Sequence, residues 1–197
     1  MNKTLLMTAT IASLAVNVMA ANNNTLVGTD NNITATSHSS LVSGYQNTIN
    51  ANNALAFGTN NTVTGENGFA GGNNATASGR NSFAFGSHAE SLVEYTVAIG
   101  NQARVSSYDS VAIGNGAFVS GESSVTLGRT NNVTGENSVA IGANNGTVAG
   151  GQSAVIGYNN KIGSQKEQLV FGSNSESSGQ GALVFGTHSK AVAMDAV

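Results

Sequence analysis

The chain has 197 residues, enough for one domain, and only 9% of them are charged, with 25 glycines and no proline, cysteine or tryptophan. The absence of cysteine excludes disulfides and thiolate metal sites, and a formal net charge of −3 has the wrong sign for a nucleic-acid-binding surface. Aromatic residues make up only 6%, so the apolar volume comes mostly from small aliphatic side chains, which favours a thin, extended core.

The first twenty residues have the pattern of an export signal. Lys3 supplies a positive start, an apolar stretch covers residues 5–16, and Val18, Met19 and Ala20 form a small-residue cleavage pattern. We therefore predict a signal peptide over residues 1–20, cleaved after Ala20, and a mature chain over residues 21–197. The stretch is too short to span a bilayer and nothing later resembles a membrane span, so we expect no membrane contact by this part of the chain.

A glycine that closes an apolar run recurs along the rest of the chain. Successive spacings are 16, then seven of 14, then 15, 15 and 14 residues. A fixed period of this length is typical of stacked repeat proteins. The twelve repeat glycines are Gly28, Gly44, Gly58, Gly72, Gly86, Gly100, Gly114, Gly128, Gly142, Gly157, Gly172 and Gly186.

Each repeat predicts two short strands separated by turns. Before the glycine, large apolar residues alternate with small ones, as in Val111, Ala112 and Ile113. After it, a small or Asn position and an apolar position stand two apart, as in Ala117 and Val119. Residues two apart share one face of a strand, so the first strand is apolar on both faces and the second is half buried.

A unit of 14 residues cannot bury its own apolar face, but stacked units can, because equivalent strands pair at a spacing of about 4.8 Å. The sequence therefore predicts an all-β, parallel β-solenoid of about twelve 14-residue coils. If Val111 and Ile113 fill the interior, the small residues form an apolar stripe outside, which other copies of the chain would cover. The pattern leaves open which face points inward. On this assignment the subunit interface comprises Ala84, Ala98, Ala112 and Ala140.

The recurring run Ser110 to Gly114, with its copies at residues 96–100, 124–128 and 138–142, resembles the YadA-like head repeats of trimeric autotransporter adhesins. The second half of the repeat, with Ala117, Val119 and Gly121, is also similar to that family. The resemblance implies a left-handed parallel β-roll, a homotrimer, and display on the outer membrane of a Gram-negative bacterium. It also implies attachment to host extracellular matrix, often collagen.

Collagen binding in this family is linked to the motif N-S-V-A-I-G followed by x-x-S. Residues 137–142 match the first six positions, but Asn145 stands where the final serine belongs, and the repeat at Ser110 has Asp109 in place of the asparagine. By resemblance, the candidate ligand-binding residues are Asn137, Ser138, Val139, Ala140, Ile141 and Gly142.

The chain ends in the middle of a repeat. A thirteenth repeat glycine would fall at position 200, so Ala196 and Val197 stand where the next apolar run begins. We expect a fragment of a longer surface protein, cut before the neck, stalk and outer-membrane anchor; a naturally short secreted solenoid is the alternative.

No residue pattern indicates an enzyme, a metal site or a cofactor. His88 and His188 occupy the same turn position in repeats far apart, which favours exposed turn residues over metal ligands. Glu122 and Glu136 lie one coil apart at a predicted corner; a cation site or a catalytic pair is conceivable there, but solvated corners are the ordinary explanation. No G-x-S-x-G or Walker-type motif is found.

The sequence thus predicts a non-enzymatic adhesin head that attaches through many weak, repeated contacts. A structural spacer without a ligand is the second hypothesis. An ice-binding solenoid is a third, because a flat threonine ladder can order water. The row six residues after each repeat glycine is polar but irregular for that purpose: Thr34, Asn50, Thr64, Ser78, Leu92, Ser106, Ser120 and Thr134.

Overall fold

The computed structural model describes residues 16–19, 22–34 and 36–197. Over these residues the chain is all-β, without a helix, and winds into a parallel β-solenoid of about twelve turns, as predicted. Each turn contributes one long strand to one wall and, in all but one turn, a two-residue strand to the opposite wall.

The first wall is a sheet of thirteen strands, of which twelve run parallel. The exception, β1, pairs antiparallel to β2 at the edge of the sheet. The strands are β1 (Val16–Met19), β2 (Asn24–Thr29), β4 (Leu41–Tyr45), β6 (Leu55–Thr59), β8 (Phe69–Asn73), β10 (Phe83–Ser87), β12 (Val97–Ile99), β14 (Val111–Ile113), β16 (Val125–Arg129), β18 (Val139–Ala143), β19 (Ala154–Tyr158), β21 (Leu169–Ser173) and β23 (Leu183–Thr187).

The second wall consists of two-residue strands in an eight-stranded and a three-stranded sheet. The first sheet contains β3 (Asn32–Ile33), β5 (Thr48–Ile49), β7 (Thr62–Val63), β9 (Thr76–Ala77), β11 (Glu90–Ser91), β13 (Arg104–Val105), β15 (Phe118–Val119) and β17 (Asn132–Val133). The second contains β20 (Lys161–Ile162), β22 (Glu176–Ser177) and β24 (Lys190–Ala191). Between them, in a 15-residue repeat, a single bridge joins Val133 to Val148.

The repeat glycines stack in register along the first wall. Gly128 pairs with Gly142, and Gly142 with Gly157, in successive parallel strands. At Gly114 the backbone φ is +136°, and a Cβ there would overlap the carbonyl oxygen of Gly128 in the next coil. Glycine is required because coil stacking brings two backbones into direct contact at a positive φ.

A second periodicity, at half the repeat, was not predicted. From Asn53 to Asn144 a residue with a positive φ near 55° recurs at every seventh position, in half of the cases as Asn and once as Gly116. Each coil therefore turns at two left-handed bends. Asn tolerates this conformation better than most residues, which accounts for ten of the chain's asparagines.

The predicted signal peptide lies outside the described residues except for β1, and its cleavage after Ala20 stays a prediction. The left-handed sense of the coil and the homotrimer also stay predictions. The number of coils, their parallel pairing and their glycine register are confirmed.

Candidate attachment surfaces

The alanines of the long strands point into the solenoid. Ala84, Ala98, Ala112 and Ala140 are fully buried within the single chain. The prediction that they form an outer stripe and the subunit interface is therefore wrong. From Val42 to Val184 the inner column of the long strands contains only Ala, Thr or Val, and Val105 and Val119 enter the interior from the short strands. The narrow coil leaves no room in that column for Ile, Leu or Phe.

Serines share the inner face with these alanines and connect consecutive coils. The backbone N–H of Ser124 donates to the hydroxyl of Ser110 at 3.1 Å, and that of Ser138 to the hydroxyl of Ser124 at 3.0 Å. Each serine hydroxyl in turn donates to a nearby carbonyl, such as Gly121 O at 2.9 Å from Ser110. The serine of the SVAIG-like run is thus an interior hydrogen-bonding residue.

Buried asparagine amides form similar ladders beside the repeat glycines. Asn61 donates from its backbone N–H and its Nδ2 to Oδ1 of Asn47, both at 2.9 Å. Asn145 and Asn160 repeat the arrangement further along, with Asn160 Nδ2 donating to Asn145 Oδ1 at 3.0 Å. These side chains replace backbone partners at the bend, so they stabilise the stack and are not available to a ligand.

The large apolar residues of the long strands form the outer face of the thirteen-stranded sheet. Val111 is half-buried and Ile113 is 36% exposed, and the same two positions are apolar in nearly every coil. We call this surface the outer apolar face. It comprises Leu55, Phe57, Phe69, Phe83, Phe85, Val97, Ile99, Val111, Ile113, Val125, Leu127, Val139, Ile141, Ala154, Ile156, Leu169, Phe171, Leu183 and Phe185.

Aromatic rings strengthen the outer apolar face towards its two ends. Phe69 and Phe83 stack with ring centroids 4.5 Å apart, and Phe171 and Phe185 stack at 5.3 Å. Gly71 leaves room for this packing, because a Cβ there would meet the rings of Phe69 and Phe85. A continuous apolar surface that extends over ten coils, from Leu55 to Phe185, is unusual for a monomer.

The predicted collagen motif is divided between the inside and the outside of the coil. Ser138 and Ala140 are fully buried, and Gly142 is required at its bend. Val139 and Ile141 belong to the outer apolar face, and Asn137 is exposed at a left-handed bend with φ +52°. Ligand binding by this motif stays a prediction, and only these last three residues present side chains outside the coil.

The outer face of the short-strand wall is hydroxyl-rich in the first part of the chain. Thr48 pairs with Thr62, and Thr62 with Thr76, so three threonines form a column. Thr64 and Ser78, two residues beyond Thr62 and Thr76, form a second column beside the first. Sequence reasoning missed this pair of columns because it followed only one of the two outward positions. We call these five residues the hydroxyl face.

In the first column, the charged residues Glu90 and Arg104 follow Thr76, while the second column continues with Leu92 and then with serines. Arg104 Nε lies 3.1 Å from Glu90 Oε2, and its guanidinium sits 5.9 Å from the ring centroid of Phe118. Further along, Lys190 Nζ lies 3.0 Å from Glu176, and this hydrogen bond is the main cause that lowers the pKa of the Glu176 carboxyl. These pairs are exposed and contribute little to stability.

The predicted turn residues lie at the surface. His88 and His188 are exposed at left-handed bends. In the described part of the chain, no group of three or more His, Asp or Glu side chains is arranged to hold a metal ion. Residues 16–19, 22–34 and 36–197 also contain no helix that is long and apolar enough to cross a membrane.

Two family models match the chain. A model described as grass antifreeze beta roll matches residues 7–100. The YadA head domain repeat matches twice, over residues 94–117 and 120–145. No curated protein matches the chain. Both families agree with the repeat architecture, and the resemblance predicted from the SVAIG-like runs is confirmed: the chain carries YadA-like head domain repeats within residues 94–145.

Proposed function

We propose that this chain is the head of a cell-surface adhesin, and that three copies associate through the outer apolar face. The observation that carries the proposal is the position of that face: two apolar columns on the outside of the long-strand wall, with Phe85 50% and Ile113 36% exposed in the single chain. Covering such a surface removes apolar area from water, which favours association of copies that carry the same surface.

The YadA-like repeats support the adhesin part of the proposal. The resemblance implies three parallel chains displayed outside a Gram-negative cell and exported through a signal peptide. In such an assembly the short-strand walls and the turns stay at the surface. Repeated weak contacts along these surfaces would add up to firm attachment through avidity, without a single strong site.

Two measurements test this function. Light scattering on the purified chain should give the mass of a trimer. The same protein should attach to surfaces coated with collagen, fibronectin or laminin. A trimer that attaches to none of the three, yet still causes cells that display it to aggregate, would favour the structural spacer over the adhesin.

Ice binding is a second candidate function, and the hydroxyl face favours it. Its two columns lie on the short-strand wall with threonines at a repeat of about 4.8 Å, and these residues fall inside the segment that matches the grass antifreeze beta roll. In this candidate function the face orders water at an ice surface.

Thermal hysteresis of the purified chain distinguishes the two functions. Ice binding predicts measurable hysteresis that Thr62→Lys abolishes, because a long charged side chain breaks the flat surface. Thr187→Lys, at an exposed threonine that ends strand β23 in the opposite wall, is the matched control. Hysteresis near zero would remove this candidate and leave the adhesin.

A further inference from the structure

A shallow groove runs along one turn edge of the solenoid, away from the outer apolar face. Its volume is about 420 Å³. The floor consists of small residues, including Gly121 and Gly135. A side chain at either glycine would place its Cβ atom against a backbone carbonyl of the next coil. The floor is therefore kept free of side chains by the stacking itself, and the groove follows the rod axis.

The two sides of the groove differ in chemistry. Ser120 and Thr134 line one side with hydroxyls, and Glu122 and Glu136 line the other with carboxylates. Lys166 also lines the groove, and its Nζ lies 3.8 Å from Glu136. Glu122 has no ion pair among the described residues, so its oxygens remain available as hydrogen-bond acceptors.

Exposed tyrosines continue the carboxylate side of the groove. Tyr108 precedes Glu122 by one 14-residue coil at the same turn position, and Ser107, its neighbour in the chain, lines the groove. Its side chain lies outside the coil, and the residue is 51% exposed. Tyr95, one coil earlier, is 49% exposed.

The position of Tyr95 is unusual for a tyrosine. It occupies a left-handed bend at φ +59°, where the neighbouring coils have Asn81 and Asp109. Bulky residues are disfavoured in this conformation, and such departures concentrate at functional positions. Arg80 fixes the ring: its guanidinium lies 5.6 Å from the ring centroid and donates to the tyrosine hydroxyl at 3.1 Å.

We propose that this edge binds a neutral oligosaccharide, with a sugar ring stacked on Tyr108 and its hydroxyls bonded to Glu122 and Ser120. A flat aromatic face beside acceptors and hydroxyls suits pyranose rings, which are apolar on their faces and polar at their rims. The carboxylates of Glu122 and Glu136 outnumber the ammonium of Lys166 in the groove, and this negative charge disfavours anionic glycans. The groove contains few apolar side chains, so it offers little to a peptide. The inference rests on the proposed function, in that it names the ligand class of the adhesin.

Isothermal titration with cellohexaose, chitohexaose and maltohexaose tests the site. At least one of these probes should bind, and Tyr108→Ala and Glu122→Gln should each weaken that binding by about tenfold or more, as expected for loss of a stacking or charged hydrogen-bonding contact. A heparin hexasaccharide should bind more weakly than the neutral probe. Both variants should fold normally, because both side chains are exposed.

Two variants serve as controls. Tyr158→Ala removes an equally exposed tyrosine, also 51%, from the opposite turn edge, and Glu66→Gln changes the same turn position as Glu122 outside the groove. Neither should alter binding. Absence of binding by all three neutral probes, unchanged binding in Tyr108→Ala or Glu122→Gln, or tighter binding of heparin would overturn the proposal.

Attachment to matrix-coated surfaces separates this inference from the proposed function. Attachment without oligosaccharide binding would overturn the glycan site and leave the adhesin intact. Oligosaccharide binding that depends on Tyr108, without attachment to any coated surface, would uphold the site and contradict matrix adhesion.

Discussion

The hydroxyl of Ser124 accepts the backbone N–H of Ser138 at 3.0 Å, one coil further along the solenoid. It also lies 2.9 Å from the carbonyl oxygen of Gly135, to which it donates. Ser124 belongs to the repeated SVAIG-like motif, yet its side chain joins backbone segments in the interior of the solenoid. The same position is serine in several neighbouring coils, and each of these serines bonds to the backbone of the next coil. The repeated serine therefore stabilises the stacking of coils.

Ser124→Ala should lower the free energy of unfolding by about 1–3 kcal/mol, because it leaves a buried N–H and a buried carbonyl without this partner. Urea unfolding measures the effect. Ser164→Ala, at an exposed serine, should change stability by less than about 0.5 kcal/mol. Equal effects of the two substitutions would contradict the interior role of Ser124.

Gly114→Val should destabilise the solenoid severely, by about 3 kcal/mol or more, since its Cβ would overlap the next coil and a β-branched residue is strained at φ +136°. Gly116→Asn is the control. Its φ of +63° suits asparagine, and the nearest atom to a Cβ there is Thr130 Oγ1 at 3.9 Å. Thermal unfolding should show a large loss for the first variant and a small change for the second.

Asn145→Asp should make stability fall as the pH rises. The Nδ2 of Asn145 donates to Asn131 Oδ1 and to the carbonyl oxygens of Ile141 and Gly157. A buried carboxylate would face these acceptors, which raises the pKa of the new carboxyl in the folded state above its unfolded value. The variant is then closest to wild type at acid pH and loses stability as the pH rises through the folded-state pKa.

Asn144→Asp, the partly exposed neighbour at a left-handed bend, is the control for this experiment. Melting temperatures of both variants across the acid range provide the comparison. A pH profile of Asn145→Asp that parallels that of Asn144→Asp would show that the amide ladder tolerates a charge.

The lowered pKa of Glu176 predicts the opposite pH dependence for its ion pairs. Lys190 and Lys161 stabilise the ionised carboxyl, so this contribution is present above the ordinary carboxyl pKa and is lost as the pH falls through the folded-state pKa. Glu176→Gln should therefore melt slightly below wild type at neutral pH and together with it in acid. A difference that persists unchanged in acid would contradict an electrostatic origin.

The sequence was sufficient to predict the repeat, the coil number and the glycine register, because each depends on a strict spacing that stacking enforces. It was not sufficient to orient the long strand. The alternation of Val111, Ala112 and Ile113 separates two faces but does not say which one is enclosed. The conditional assignment of Val111 and Ile113 to the interior was wrong, because the inner column of the long strands admits no side chain larger than valine from Val42 to Val184.

Two features of the sequence agree with the orientation that the structure shows. Ser110 lies two residues before Ala112, and therefore on the same face, and it is hydrogen-bonded inside the coil. From Val42 to Val184 the inner column contains only Ala, Thr and Val, whereas the outer columns range from Gly71 and Ala154 to Leu and Phe, as a surface permits and a confined interior does not. Subunit association, by contrast, depends on a partner that one chain's repeat pattern does not contain.

Light scattering combined with circular dichroism on Ile113→Glu and Ala112→Glu tests the central claim most directly, that the outer apolar face joins the copies and the alanine face fills the coil. The account predicts a trimer for wild type, a folded monomer for Ile113→Glu, and loss of β-structure for Ala112→Glu, which buries a charge. A folded Ala112→Glu protein, or an Ile113→Glu protein that remains trimeric, would contradict it.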